Sequence, residues 1–159
     1  MTPKPAAFDR ALASARFTAF TLGASLLVYL LFEEIVRARY RPFLGFARLR
    51  DPRPVRYAGF AAAIVAVIAL RLVHGRITAA AARAADGEGA VRRLFRAAAI
   101  GLVLAEIPAL AGLALALIGG LNTDFYLLTF VSAVLVFMYF PRASSWESIL
   151  EKRRPVCPF

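Results

Sequence analysis

Glu106 carries the chemistry of this sequence that most needs explaining. It lies in Leu104-Ala-Glu-Ile-Pro-Ala-Leu110, about ten residues into a run from Phe95 to Ile118 that carries one other charge, Arg96 at its start. A rise of ~1.5 Å per residue puts it ~15 Å along a helix, near the centre of a bilayer whose hydrocarbon is ~30 Å thick. An ionisable side chain at that depth costs about 3 kcal/mol or more and is expected to face protein or water. Two chemistries fit. One is a carboxyl that takes up and releases a proton or cation. The other is a neutral carboxylic acid hydrogen-bonded across a helix interface, which holds neighbouring helices in register. The second is preferred, because the sequence offers no other acid at comparable depth. Pro108 leaves the Leu104 carbonyl without its helical donor and so loosens the helix around Glu106.

The other polar groups near apolar runs have simpler expected roles. Arg71 could extend toward Glu106 from a preceding helix, but snorkelling to the headgroups is the cheaper arrangement. His74 titrates near neutral pH when unperturbed, and a lone interfacial histidine is expected to be a surface residue. Glu33 and Glu34 close the first apolar run and are expected at the membrane surface. There they either pair with Arg37 or Arg39 or form a solvated face, the latter being preferred.

Small residues flank Glu106 at helical spacing. Gly101, Ala105 and Ala109 recur every four positions, as do Pro108, Gly112 and Ala116. Such spacing lets helix backbones approach closely. Packing within one bundle is the expected use, and an assembly face the alternative.

No catalytic constellation is present. Serine, histidine and acid form no nucleophile motif, no glycine-rich phosphate loop follows a strand, and one His with one Cys cannot supply a metal-ligand set. An enzyme is therefore not expected, nor a cofactor or metal. The charge is strongly basic, with 20 Lys+Arg against 10 Asp+Glu. The arginines crowd the ends of apolar runs, which points to anionic lipid headgroups and not to nucleic acid.

From Arg76 to Ile118 the chain resembles the rotor-ring proteolipid (c subunit) of rotary ATP synthases. The likeness is a basic polar loop followed by Ile100-Gly101-Leu-Val-Leu104-Ala105-Glu106 and then Gly112-Leu113. This partial resemblance implies that Glu106 is a proton-carrying carboxylate and Arg83 the arginine of the loop. It fits a small bacterial-type membrane protein of four spans with one proteolipid-like helix.

The elements that position these groups follow from composition. Hydrophobic residues make up 60% of the 159 positions, more than so small a soluble domain can hide. They fall in blocks divided by arginine-rich stretches, so the predicted class is all-α: an integral membrane four-helix bundle with short interfacial amphipathic segments, as a single transmembrane domain. Spans are predicted at about 15–36, 57–73, 95–118 and 125–140. The first is expected to be retained and not cleaved as a signal peptide. Residues 37–56 form a basic loop with interspersed aromatics, which suits the headgroup layer. Its Arg37, Arg39, Arg41, Arg48, Arg50 and Arg53 are the expected headgroup contacts, together with Trp146. The second helix is expected to continue into water beyond Arg76. Residues 86–89 form a turn, the third helix starts near Ala90, and Asn122 to Asp124 offer N-cap side chains to the fourth. Ser144-Ser-Trp-Glu147 has capping-box form and opens an amphipathic tail over 144–159.

Counting basic residues near span ends sets the orientation. One side holds Lys4, Arg10, Arg16, Arg71, Arg76, Arg83, Arg92, Arg93, Arg96, Arg142, Lys152, Arg153 and Arg154, thirteen in all; the other holds seven: Arg37, Arg39, Arg41, Arg48, Arg50, Arg53 and Arg56. Both termini are thus expected in the cytoplasm, with the protein in the inner membrane. Three functions are expected, in this order. The first is a non-catalytic scaffold or accessory subunit that binds other membrane subunits or copies of itself. The second is a proton or cation conductor centred on Glu106, and the third a small-solute transporter acting as an oligomer.

Overall fold

In the computed structural model, residues 7–47, 49–84 and 86–151 are described, and every regular element among them is helical. Five helices follow one another: α1 (Ala7–Arg39), α2 (Arg53–Ala82), α3 (Gly87–Gly119), α4 (Asn122–Met138) and α5 (Ala143–Glu151). α1, α2 and α3 are each long and apolar enough to cross a membrane. α4, with 17 residues, reaches only about 25 Å at 1.5 Å per residue. It passes the same test only together with α5, from which a bend of 50° separates it. The run predicted at 125–140 lies in α4 except for its last two residues. Its helix ends at Met138, three residues short of Pro141, because the residue before a proline is pushed out of the helical region.

α3 is the centre, with α1, α2 and α4 all packed on it. Small residues make this possible. Ala97, Ala98, Gly101, Ala105, Ala109, Gly112 and Ala116 are all buried on α3, and Ala63 and Ala66 on α2. A Cβ added at Gly112 would lie 3.0 Å from Leu128 Cβ and 3.1 Å from Phe125 Cα, so α3 and α4 are in near-backbone contact there. The small-residue face of α3 is thus buried against neighbouring helices of the chain.

The outward surfaces are apolar. Phe17, Phe20, Leu27, Ile64, Val65, Phe130 and Phe137 all stand exposed. So many exposed large apolar side chains are rare on a soluble monomer, whereas hydrocarbon removes their cost. α1 and α4 leave between them an apolar groove of about 710 Å³ lined by Phe20, Gly23, Leu27, Phe130 and Phe137.

Helix ends and loops depart from expectation in four places. α3 starts at Gly87, earlier than Ala90, because the Asp86 side chain accepts the Gly89 N–H at 2.8 Å and caps the helix. α4 has no side-chain cap, and Asp124 is instead held by Arg56. α5 begins at Ala143, so Ser144 sits inside the first turn and not at a capping position. The basic loop does not simply lie along a headgroup layer. Its middle folds onto the end of α3, where Phe46 N–H donates to Leu117 O at 2.8 Å and Ala47 N–H to Ile118 O at 3.1 Å. These bonds satisfy carbonyls that a helix C-terminus leaves without partners. The approach is close enough to need glycine on both sides: Gly45 and Gly120 both have positive φ, and a Cβ on Gly45 would fall 2.4 Å from Ile118 O. Arg48 and residues 152–159 of the predicted tail lie outside the described residues.

Candidate functional site

Ser25 and Tyr29 stand four residues apart on α1 and so share one face of that helix. Both reach Glu106 Oε1 on α3, Ser25 Oγ at 2.6 Å and Tyr29 OH at 2.5 Å. Glu106 is partly buried, between helices. The single Ser25 proton has two acceptors in range, Leu22 O at 2.7 Å and Glu106 Oε1. The pair of hydroxyls can therefore hold a carboxylate by donation, or a carboxylic acid that donates back to Ser25 Oγ. Either way the bonds join α1 to α3 near the middle of both helices.

Pro108 is buried beside this group. The next N–H along, that of Ala109, donates to Ser132 Oγ on α4 at 2.9 Å, and Ser132 is fully buried. A hydroxyl from the neighbouring helix thus serves the backbone where proline disturbs the ladder. Arg71 takes no part: it is exposed on α2, and among the described residues no ion pair joins it to Glu106. Below Glu106, Ala19, Leu70, Leu102, Ala105, Leu135 and Val136 close the core with apolar packing.

A second polar cluster lies at the end of α1 nearest the basic loop. Glu33 is 1% exposed, which corrects the expectation of a surface residue. Its Oε2 is 3.2 Å from Tyr126 OH on α4, while its Oε1 has no partner. Tyr126 OH also bonds Glu34, and Arg37 stands 3.4 Å from Glu34 and 3.5 Å from the Tyr126 hydroxyl. Nearby, Arg56 grips Asp124 through two bonds, Nε to Oδ2 at 2.8 Å and Nη2 to Oδ1 at 2.9 Å. The planar guanidinium fork matches a carboxylate in this way. Asp124 lies in the first turn of α4, where the helix dipole also favours its charge.

Of the expected headgroup contacts, Arg39, Arg41, Arg50 and Arg53 are exposed. Arg37 is engaged with Glu34 and Tyr126. Trp146 is not a headgroup contact: it is 5% exposed and meets Phe8 edge-on, with ring centroids 6.1 Å apart. Because α5 turns back under the bundle, its indole fills the core formed by the ends of α1, α2 and α3. His74 likewise is no free surface residue, since it packs edge-on to Tyr139 with Nδ1 3.4 Å from Ala97 O. Arg83 bonds Ala79 O at 3.2 Å and closes the end of α2.

Ser25, Tyr29, Ser132 and Tyr126 were missed by sequence reasoning. A signal existed for two of them: Ser25, Tyr29, Glu33 and Arg37 recur every four residues and form one polar stripe along α1. Among the described residues no cluster of three or more His, Cys, Asp or Glu could hold a metal ion. Comparison with protein-family models, curated proteins and solved structures finds no match to this chain.

Proposed function

We propose that this chain is a non-catalytic integral membrane protein, a scaffold or accessory subunit built as a four-helix bundle. The observation that carries this reading is the pair of bonds from Ser25 and Tyr29 to Glu106, which makes the one deep acid a tie between helices. The apolar outward faces of α1, α2 and α4 suit lipid and neighbouring subunits. Exposed Arg39, Arg41, Arg50 and Arg53 suit anionic headgroups. The thirteen-to-seven distribution of basic residues supports an inner-membrane protein with both termini in the cytoplasm. Purification from native membranes in mild detergent is the test. Recovery with a stoichiometric partner, or as a stable assembly of its own copies, is the expected result. A monomer with no retained partner would overturn the reading.

A second reading has a specific observation in its favour. The polar stripe on α1 runs from Glu106 toward the basic loop, as a proton-handling protein related to the proteolipids would need. A conductor also requires a continuation on the far side of Glu106, where apolar packing meets it.

A further inference from the structure

Tyr126 has one hydroxyl proton and two carboxyl neighbours, Glu33 and Glu34. A hydroxyl donates once, so the second contact is a hydrogen bond only if that carboxyl carries a proton and donates to the Tyr126 oxygen. Geometry assigns the two parts. Glu34 is half exposed and beside Arg37, which suits the carboxylate. Glu33 is buried, and its Oε1 has no partner; a lone carboxylate in that position would be a desolvated and half-unpaired charge.

We infer that Glu34, Tyr126 and Glu33 form a proton relay between the basic-loop surface and the interior, and that it serves Glu106 through Tyr29. In the relay step Glu33 gives its proton to the Tyr126 oxygen while Tyr126 gives its own to Glu34. One O–H bond forms and one breaks at Tyr126, which ends neutral, and the net result is one proton moved from Glu33 to Glu34. The reverse step loads Glu33 from the surface. Glu33 and Tyr29 are one turn apart on α1, ~6 Å of rise, so the relay requires one water between them, bonded to the Glu33 Oε1 that has no protein partner. Tyr29 then contacts Glu106 directly. The other charged groups facing this cluster are accounted for: Arg37 of α1 pairs with Glu34 and donates to the Tyr126 oxygen at 3.5 Å, which keeps that oxygen neutral or accepting throughout, and Asp124 of α4 is engaged by Arg56 of α2. Apolar packing below Glu106 closes the other direction. The relay therefore exchanges protons with one side and does not carry them across. This inference goes beyond the scaffold reading and does not depend on it.

The test is infrared spectroscopy of the full chain in lipid nanodiscs on transfer to D2O. Glu33→Gln and Glu106→Gln assign the carboxylic acid carbonyl bands. Glu33→Gln is expected to remove one protonated-carboxyl band. Tyr126→Phe and Glu33→Gln are each expected to slow deuterium exchange at the Glu106 band by tenfold or more, and Tyr139→Phe, at the opposite end of α4, to leave it unchanged. Melting temperature is followed for each variant, and where Tyr126→Phe fails to fold the Glu33→Gln arm decides. The inference is overturned if Glu33→Gln removes no acid band, if Glu106 shows none, or if its exchange is indifferent to both loop-side variants.

Discussion

The Tyr29 hydroxyl of α1 donates to Oε1 of Glu106 on α3 at 2.5 Å, and Ser25, one turn away, reaches the same oxygen at 2.6 Å. Two hydroxyls from one helix on a single oxygen of another fix the rotation and the height of α1 against α3. Removing only the phenol, by Tyr29→Phe, keeps the ring packing and leaves one of those bonds. Hydrogen bonds between helices in lipid average ~0.6 kcal/mol and reach ~1.7 kcal/mol. Tyr29→Phe should therefore lower stability by about 1 kcal/mol, measured by equilibrium unfolding in mixed micelles. An unchanged midpoint would mean that the contact holds nothing.

Ser132 makes a sharper case, because its partner is backbone. Ser132→Ala strands the Ala109 N–H in a site with no access to water. A buried donor left without an acceptor costs about 1–3 kcal/mol. The same unfolding assay should show a loss in that range, and a neutral Ser132→Ala would show that the Ala109 N–H keeps a helical acceptor despite Pro108.

Two glycines should respond to alanine with opposite signs. Gly23 has open space where a Cβ would go, whereas at Gly112 it would press on Leu128 and the Phe125 backbone. Gly23→Ala removes the entropic weakness of glycine in a helix and should be neutral or stabilising by about 0.5–1 kcal/mol. Gly112→Ala overpacks the α3–α4 contact and should cost about 1–3 kcal/mol. Equal effects on thermal stability would contradict the close approach of the two helices.

The Arg56–Asp124 fork predicts an asymmetry. Arg56 is half exposed, and Asp124 only 5% exposed at its side chain. Arg56→Ala leaves a buried carboxylate unpaired and should be the costlier change, by about 1–3 kcal/mol. Asp124→Asn leaves a guanidinium that water can solvate. The reverse order in chemical unfolding would show that Asp124 is not relying on Arg56.

Much of this architecture was legible in the residues. The apolar blocks locate α1 to α3, and the cost of a deep acid predicts that Glu106 sits between helices. What the sequence hid were the partners. Ser25 and Tyr29 lie on a four-residue polar stripe with Glu33 and Arg37, but the stripe does not say which helix it faces, and only packing does. Trp146 was misread, and the fold of Phe46 and Ala47 onto α3 unforeseen, for the same reason: an aromatic near a membrane surface and a loop of arginines look alike whether they meet lipid or fold back on protein. Hydropathy carries no information on that choice, which depends on the turn after Phe140 and on Gly45 lying against Gly120.

The account rests on Glu106 acting as a tie between α1 and α3, and paired substitutions in reconstituted vesicles test it most directly. Glu106→Gln keeps the shape and both hydrogen-bonding roles of a neutral acid, while Glu106→Leu strands the Tyr29 hydroxyl and leaves Ser25 bonded only within its own helix, to Leu22 O. Thermal stability and proton flux are measured on both. The account predicts that Gln retains near-native stability, that Leu loses about 1–2 kcal/mol by the loss of both bonds, and that flux is at background in all three proteins. Proton flux in the native protein that disappears in the Gln variant, with stability unchanged, would contradict it and make Glu106 a conducting group.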